Sequence, residues 1–433
     1  MVQKGAFGLP FHVSDWHYGR SVKKYCLSAG LAAFSWASSC YTRGMNRIVT
    51  KTGSSSQTGN GTQNSSQTRA NDATISAASQ TPSARGAGLT ASDPHDDLPY
   101  EECRKRPVYA ALDLGTNNCR LLFARPSSHG IRVVEAFSRI VRLGEGITRS
   151  NRLSEQAIRR TIEALKICAE RMASRTVERS RLIATEACRT AVNGVEFLDR
   201  VERETGLTLE IVTRETEAQL AAAGCLELAD PRDDGVVLFD IGGGSSEVVW
   251  LESDASGERD VASRIRAWIS IPWGVVTLSE RHGGIEVSRA VYDKMVAEVT
   301  GHLSEFAQGL ASQRAEGRFH LLGTSGTVTT LGGVHLGLRR YDRRRIDGLW
   351  LSDEAISATI NSLVDMTYRQ RAANPCIGHQ RADLVLAGCA ILDAIRGLFP
   401  SERLRIADRG LREGLLIGMM MADGVWPKQR TSA

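Results

Sequence analysis

The strongest constraint on what this chain can fold into is that it states one pattern twice. AALDLGTNNCRLLFA (110–124) and VLFDIGGGSSEVVWL (237–251) each read as an apolar strand, an aspartate, one apolar residue, a glycine, a short polar turn and a second apolar strand. A supersecondary unit repeated in this way implies two related domains that face each other across a cleft. Two ordinary glycine-rich hairpins are the alternative. Both turns, however, carry Asp at the same offset, and neither needs five polar residues merely to reverse direction.

The surrounding sequence is α/β in character, strands alternating with helices from Pro107 onward. SEQAIRRTIEALKICAERMA places Ile158, Ile162, Leu165, Ala169 and Met172 on one helical stripe. EACRTAVNG opens a helix that breaks at Asn193 and Gly194, and GVEFLDRVERETG is a helix closed by Gly206. RLIAT, LEIVT and RLRIA read as strands, and TEAQLAAAGCLELA and RADLVLAGCAILDAIRGL (381–398) as packed helices. Met419, Met420 and Met421 are expected in the core. ADPRDDG, ending at Gly235, is the best internal boundary. The expected division is domain I over 107–234 and domain II over 235–425, between an extension (1–106) and a tail (426–433).

The formal charge of +5 on 433 residues suits an anionic ligand but falls well short of a nucleic-acid-binding footprint, so no nucleic acid is expected as a partner. The nine cysteines are dispersed without a CxxC pair, which reads as reduced thiols and a cytoplasmic location. CLSAGLAAFSWASSC (26–40), behind Lys23 and Lys24, resembles the core of a signal peptide but is short and serine-rich. A start at Met45 is the other reading. Residues 51–88 are nearly free of large apolar groups and are expected to be disordered. After Arg106 no apolar run reaches membrane length, so no membrane partner is expected.

The repeated turn has a chemical use. Without side chains its backbone N–H groups can converge on a phosphate, and hydroxyls add donors. The second copy supplies Gly242, Gly243, Gly244, Ser245 and Ser246, with Asp240 and Glu247 as hard oxygen ligands for Mg²⁺ or for its coordinated waters. The first offers Asp113, Gly115, Thr116, Asn117 and Asn118, with Asp113 helping to hold the ion across the cleft. Two facing phosphate loops imply a ligand with consecutive phosphates. A third turn in LLGTSGTVTTLGG, with Gly323, Thr324, Ser325 and Gly326, would aim a helix N-terminus at an anion. Arg412 follows RLRIA and could reach the same cleft. The basic run GLRRYDRRRIDG (337–348) reads as a solvated face or as a groove for a polyanion. There is no GxxxxGK[ST], no GxSxG and no dinucleotide GxGxxG in a strand–turn–helix setting.

Taken in order, AALDLGTNNCRLLFA, ATEACRTAVNG, IVTRETEAQLAAAGC, VLFDIGGGSSEVVWL, SIPWGVVTLSER, LLGTSGTVTTLGG and ADRGLREGLL resemble the exopolyphosphatase and guanosine pentaphosphate phosphatase (Ppx/GppA) family, from Ala110 to about Leu416. The resemblance implies two actin-like, ribonuclease H-like domains, related to actin, sugar kinases and heat-shock chaperone ATPases. It also implies Mg²⁺-dependent hydrolysis of terminal phosphoanhydrides. By position it makes Glu217 the catalytic glutamate and Arg189 a phosphate-contacting arginine. Here the family stretch SG-x-EEA reads TRETEA, with Arg214 for the glycine and Thr216 for the first glutamate. From residues alone, Glu217 could equally be a capping acid and Arg189 an ordinary helix arginine. The chain looks like the short, two-domain form, for which a homodimer is an allowed assembly. The expected activity is release of orthophosphate from polyphosphate. Attack on the 5′-phosphate of guanosine pentaphosphate (pppGpp) and a non-hydrolytic sensor are the alternatives.

Overall fold

The computed structural model describes residues 106–128, 130–253, 261–314 and 317–426, with the side chains of 312–314 excepted. The signal-like stretch, the low-complexity segment and the last seven residues lie outside them.

The duplication in the sequence is a duplication of topology. In the first lobe β1 (Tyr109–Leu114), β2 (Asn118–Ser127) and β3 (Gly130–Ile140) form an antiparallel meander. β4 (Arg179–Ala184) adds parallel to β1, and the two-residue β5 (Glu210–Ile211) adds parallel to β4, giving the order β3-β2-β1-β4-β5. In the second lobe β6 (Gly235–Ile241), β7 (Ser246–Glu252) and β8 (Ile265–Ile271) repeat the meander. β9 (Phe319–Thr324) and β11 (Arg403–Ala407) repeat the parallel pair, and the short β10 (Trp350–Ser352) lines the edge. This sheet, present twice, is the ribonuclease H-like core of an actin-like fold.

Even the turns match. The Gly115 N–H donates to the Asn118 carbonyl at 2.9 Å, and the Gly242 N–H to the Ser245 carbonyl at 3.0 Å. Asp113 stands opposite Arg120 on β2, and Asp240 opposite Glu247 on β7.

Strand alternation decides which residues can reach the space between the lobes. In β1, Ala110, Leu112 and Leu114 join the core that faces α1 (Glu155–Ala173), the short α2 (Glu186–Thr190) and α3 (Gly194–Thr205). The α1 stripe Ile158, Ile162 and Leu165 fills that core, and α3 closes on Gly206 in the left-handed region, φ 71°. Tyr109 and Ala111 point the other way, against α8 (Leu411–Ala422), and Asp113 shares their parity. In β6, Val237, Phe239 and Ile241 face the second lobe's own core, built with α5 (Arg289–Arg314) and α7 (Val385–Leu398). Val236 and Leu238 face α4 (Arg214–Cys225), and Asp240 shares their side. Both aspartates therefore project into the gap between the sheets.

Two helices occupy that gap. α4 contributes Leu220 to the first lobe's inner cluster and Ala218, Ala221, Ala222 and Cys225 to the second's. α8 lies within the expected bounds of domain II, but it returns to the first sheet, with Leu415, Leu416, Met419 and Met420 buried there and Tyr109 Oη bonded to Asp423 at 2.9 Å. Met421, expected in the core, is 43% exposed. The α4–α8 crossing is backbone on backbone. A Cβ on Gly224 would lie 1.9 Å from the Gly410 carbonyl oxygen, and one on Gly414 2.1 Å from that of Leu220.

Candidate active site

The strand ends and loops of both lobes enclose a cleft of about 780 Å³. Asp113, Gly115, Thr116, Asn117 and Asn118 line it from the first lobe. Asp240, Gly242, Gly243, Gly244, Ser245 and Glu247 line it from the second, joined by Thr324, Ser325, Gly326, Arg412 and Glu217. The two turns touch. A Cβ on Gly243 would come within 2.9 Å of Thr116 Cβ, and one on Gly244 within 2.7 Å of Thr116 Oγ1, so only glycine permits this approach.

Two expected residues lie elsewhere, and strand parity is the reason. Ser246 sits on β7 with Val248 and Trp250, on the far side from Glu247, and its hydroxyl donates to the Trp273 carbonyl at 2.7 Å. Gly323 sits on β9 with its missing side chain towards the core, where a Cβ would be 2.6 Å from the Phe239 ring. Its glycine is a packing requirement.

Three polar atoms in this cleft, Asn117 Oδ1, Asn118 Oδ1 and Ser325 Oγ, are buried without a hydrogen-bond partner among the described residues. Orphaned buried groups are costly and uncommon, and clustered ones point to a ligand. Ser325 is also held at φ 93°, a strained conformation for a residue with a side chain, at the entrance to α6 (Gly326–His335). The helix expected after Gly326 begins one residue earlier, at Gly326 itself.

The carboxylates are stressed by proximity and burial. Burial pushes Asp240 up to about 6, with Arg120 opposing and Asp113 adding to the rise. Asp113 is itself raised by burial, against Arg120 and Arg412. Glu247 is pushed up to about 7 by burial and the Asp240 charge, although it accepts hydrogen bonds from Ser270 at 2.7 Å and Ser245 at 2.9 Å. Glu217, in the first turn of α4, is driven well above the usual carboxylate range by burial and then by Glu247, with Arg189 resisting.

These groups suit a cation in a limited sense. Asp240 and Glu247 are neighbouring oxygen donors on one face whose charge the protein leaves undercompensated, and Mg²⁺ is held by one or two carboxylates together with phosphate oxygens and water. The wider ligand set with Asp113 is not assembled: among the described residues no three His, Cys, Asp or Glu side chains converge at ion-binding distance. Asp113 faces Arg120 and Arg412 instead.

Arg189 is also placed differently from expectation. Its Nη1 donates to the Val212 carbonyl at 2.6 Å, Nη2 to Glu217 at 3.0 Å and to Glu186, and Nε to Glu186 at 3.1 Å. It braces Glu217 from behind and does not line the cleft. The cationic wall comes from Arg120, Arg381 and Arg409, which the sequence did not single out, together with Arg343 of the basic run and Arg412. Arg381 and Arg412 are lowered by burial, and the Arg120 charge presses both further down. Of the basic run, Tyr341 and Arg343 reach the cleft while Arg339, Arg340, Arg344 and Arg345 do not line it.

Two lobes of like sheet topology, around a cleft that sets arginines beside carboxylates, define a structural class, the duplicated actin-like fold. Within that class the chain belongs to the Ppx/GppA phosphatase family, whose model matches residues 122–423. It is 30% identical over 316 residues to a guanosine-5'-triphosphate,3'-diphosphate pyrophosphatase of Aeromonas hydrophila, covering 72% of this chain and 60% of the relative. The chain thus spans about three fifths of the curated relatives it matches. It resembles the solved Ppx/GppA family member of Aquifex aeolicus at 27% identity and a TM-score of 0.60, over 73% of this chain and 98% of that one. An exopolyphosphatase of Cytophaga hutchinsonii, at 23% identity and a TM-score of 0.64 over 73% and 98% of the chains, shares the fold.

Proposed function

We propose that this protein hydrolyses the terminal phosphoanhydride of inorganic polyphosphate and releases orthophosphate. One observation carries the reading: five arginines, Arg120, Arg343, Arg381, Arg409 and Arg412, share a cleft with the buried acids Glu217 and Glu247 and the half-buried Asp240. Arginines at the side of a phosphate chain neutralise and orient it, and charge neutralisation with alignment is most of what phosphoryl transfer requires.

Asp240 and Glu247 are the residues to hold Mg²⁺, which when bound would neutralise charge on the transferring group. Glu217 orients the attacking water and accepts its proton, helped by its place at the positive end of α4. Arg189 keeps that carboxylate in one orientation. The unpartnered Asn117, Asn118 and Ser325 side chains complete the phosphate cradle, with turn N–H groups other than those of Gly115 and Gly242, which bond within their own turns. Free, buried thiols among the described residues suit a cytoplasmic enzyme.

The name of the Aeromonas relative favours a second substrate, pppGpp, which presents the same terminal anhydride. Orthophosphate release from polyphosphate and from pppGpp, with and without Mg²⁺, tests both. Mg²⁺-dependent release from polyphosphate is expected. Release from neither substrate refutes the hydrolase.

A further inference from the structure

Where TRETEA carries Arg214 in place of the glycine of SG-x-EEA, the chain does not merely lose a turn residue, because Arg214 has acquired a partner. Its Nη2 donates to Glu186 Oε1 at 2.6 Å and its Nε to Glu186 Oε2 at 3.1 Å. Arg189 reaches the same carboxylate from the other side through Nε, at 3.1 Å, and Nη2. Four guanidinium N–H contacts thus surround one carboxylate, a geometry that Arg gives equally to carboxylate and to phosphate. Glu186 is 7% exposed and lines the cleft, whereas Arg189 and Arg214 stand behind it. A Cβ on Gly244 would be 3.0 Å from Glu186 Cγ, so the acid also lies directly against the second lobe's phosphate turn.

A packed acid between two arginines, at the wall of a cleft built for polyanions, has an electrostatic consequence. It engages Nε and Nη2 of both arginines, and its charge repels an incoming phosphate. We propose that Glu186 is a specificity-determining residue, an internal surrogate that occupies the anion site formed by Arg189 and Arg214 and restricts the phosphate chain to the remainder of the cleft. The proposal deepens the hydrolase reading and rests on it for the identity of the ligand. The site it assigns takes one phosphate unit of a linear polyanion. With Glu186 in place, that unit must displace the carboxylate or bind elsewhere.

Glu186→Gln keeps the size and the acceptor oxygen while removing the charge. Tripolyphosphate binding to the full chain, followed by calorimetry with chelator present, needs no turnover. The variant is expected to bind about five- to tenfold more tightly than the unmodified protein, the scale of one relieved like-charge contact. In turnover the gain should enter through a lower KM for polyphosphate. A residue that only positioned Arg189 behind Glu217 would instead lower kcat and leave KM unchanged.

The double variant Glu186→Gln/Arg214→Ala should lose most of the gain, since Arg214 is half of the uncovered site. It also guards against misfolding of the single variant, because the Arg214 side chain is 41% exposed and its removal deletes the unpaired cation. Equal or weaker tripolyphosphate binding by folded Glu186→Gln, including no binding at all, defeats the proposal, as does a gain that survives loss of Arg214. Failure of the unmodified protein to hydrolyse polyphosphate would defeat the hydrolase reading and leave the binding comparison intact.

Discussion

Asp240 stands directly opposite Glu247 on paired strands, at the register position where the other lobe sets Asp113 opposite Arg120. One inherited unit has thus been given an acid–acid pair in one copy and an acid–base pair in the other. The acid–acid side lacks charge balance by itself, and the acid–base side supplies an arginine to the cleft. The division of labour in the proposed mechanism, cation on one side and phosphate oxygens on the other, follows from that asymmetry.

Replacing Glu217 by Gln should lower kcat for orthophosphate release about 10²–10⁴-fold, the usual contribution of a positioned general base. The amide can still accept from Arg189, so binding of polyphosphate should persist. Steady-state rates and direct binding on the same preparation check this, and a variant with near-normal kcat would remove Glu217 from the chemistry.

Asp240→Asn should abolish turnover and yet stabilise the fold. The folded carboxyl titrates near 6 against 3.8 for the unconstrained group. A raised acid binds more protons folded than unfolded between those values, so its contribution to stability falls as pH rises through that window. At pH 8 without divalent ions the variant should be about 1–3 kcal/mol more stable than the unmodified protein, the gain shrinking towards pH 4. Urea melts at both pH values measure it; a gain of the same size at both would contradict the assignment.

The lobes are tied at the mouth of the cleft. Arg142, held at φ 46°, donates to Asp383 from both Nη1 and Nη2 at 2.9 Å and to the Gln380 carbonyl at 3.0 Å, and Glu280 accepts from the Gly146 N–H at 2.6 Å. Partly exposed pairs contribute little to stability, about 1 kcal/mol or less. Arg142→Ala should therefore melt nearly normally while kcat/KM falls about tenfold, because the tie sets the spacing of the reacting groups. Unchanged kcat/KM would show that the tie is incidental.

Gly224→Ala should be damaging although Gly224 itself does not line the cleft, since the new methyl would sit 1.9 Å from the Gly410 carbonyl. Overpacking of this kind costs about 1–3 kcal/mol or more, and thermal melting should show it. A normal Tm would mean that the α4–α8 crossing can relax.

What could be read in the sequence was what repeats locally. The paired Asp–Gly turns, the stripe of α1 and the start of α6 all follow from short-range pattern, and each is in place. Arg120 was overlooked because in CRLLFA it is one polar residue in an apolar strand, and only its register opposite Asp113 reveals its role. Ser246 and Gly323 adjoin the turns in sequence, but strand parity sends them to the other face. The return of α8 to the first sheet is a contact across some three hundred residues, as between Tyr109 and Asp423, and leaves no local signature. The Glu186–Arg214 pair was hidden for the same reason, its members being 28 residues apart on different helices.

The central claim, that the duplicated turns grip neighbouring phosphates of one chain, is tested most directly by a crystal structure with tripolyphosphate and Mg²⁺. The account predicts phosphate oxygens on backbone N–H groups of both the 115–118 and 242–245 turns, other than the internally bonded Gly115 and Gly242, with the ion at Asp240 and Glu247. Phosphates held by one lobe alone, or bound outside the cleft, would contradict it.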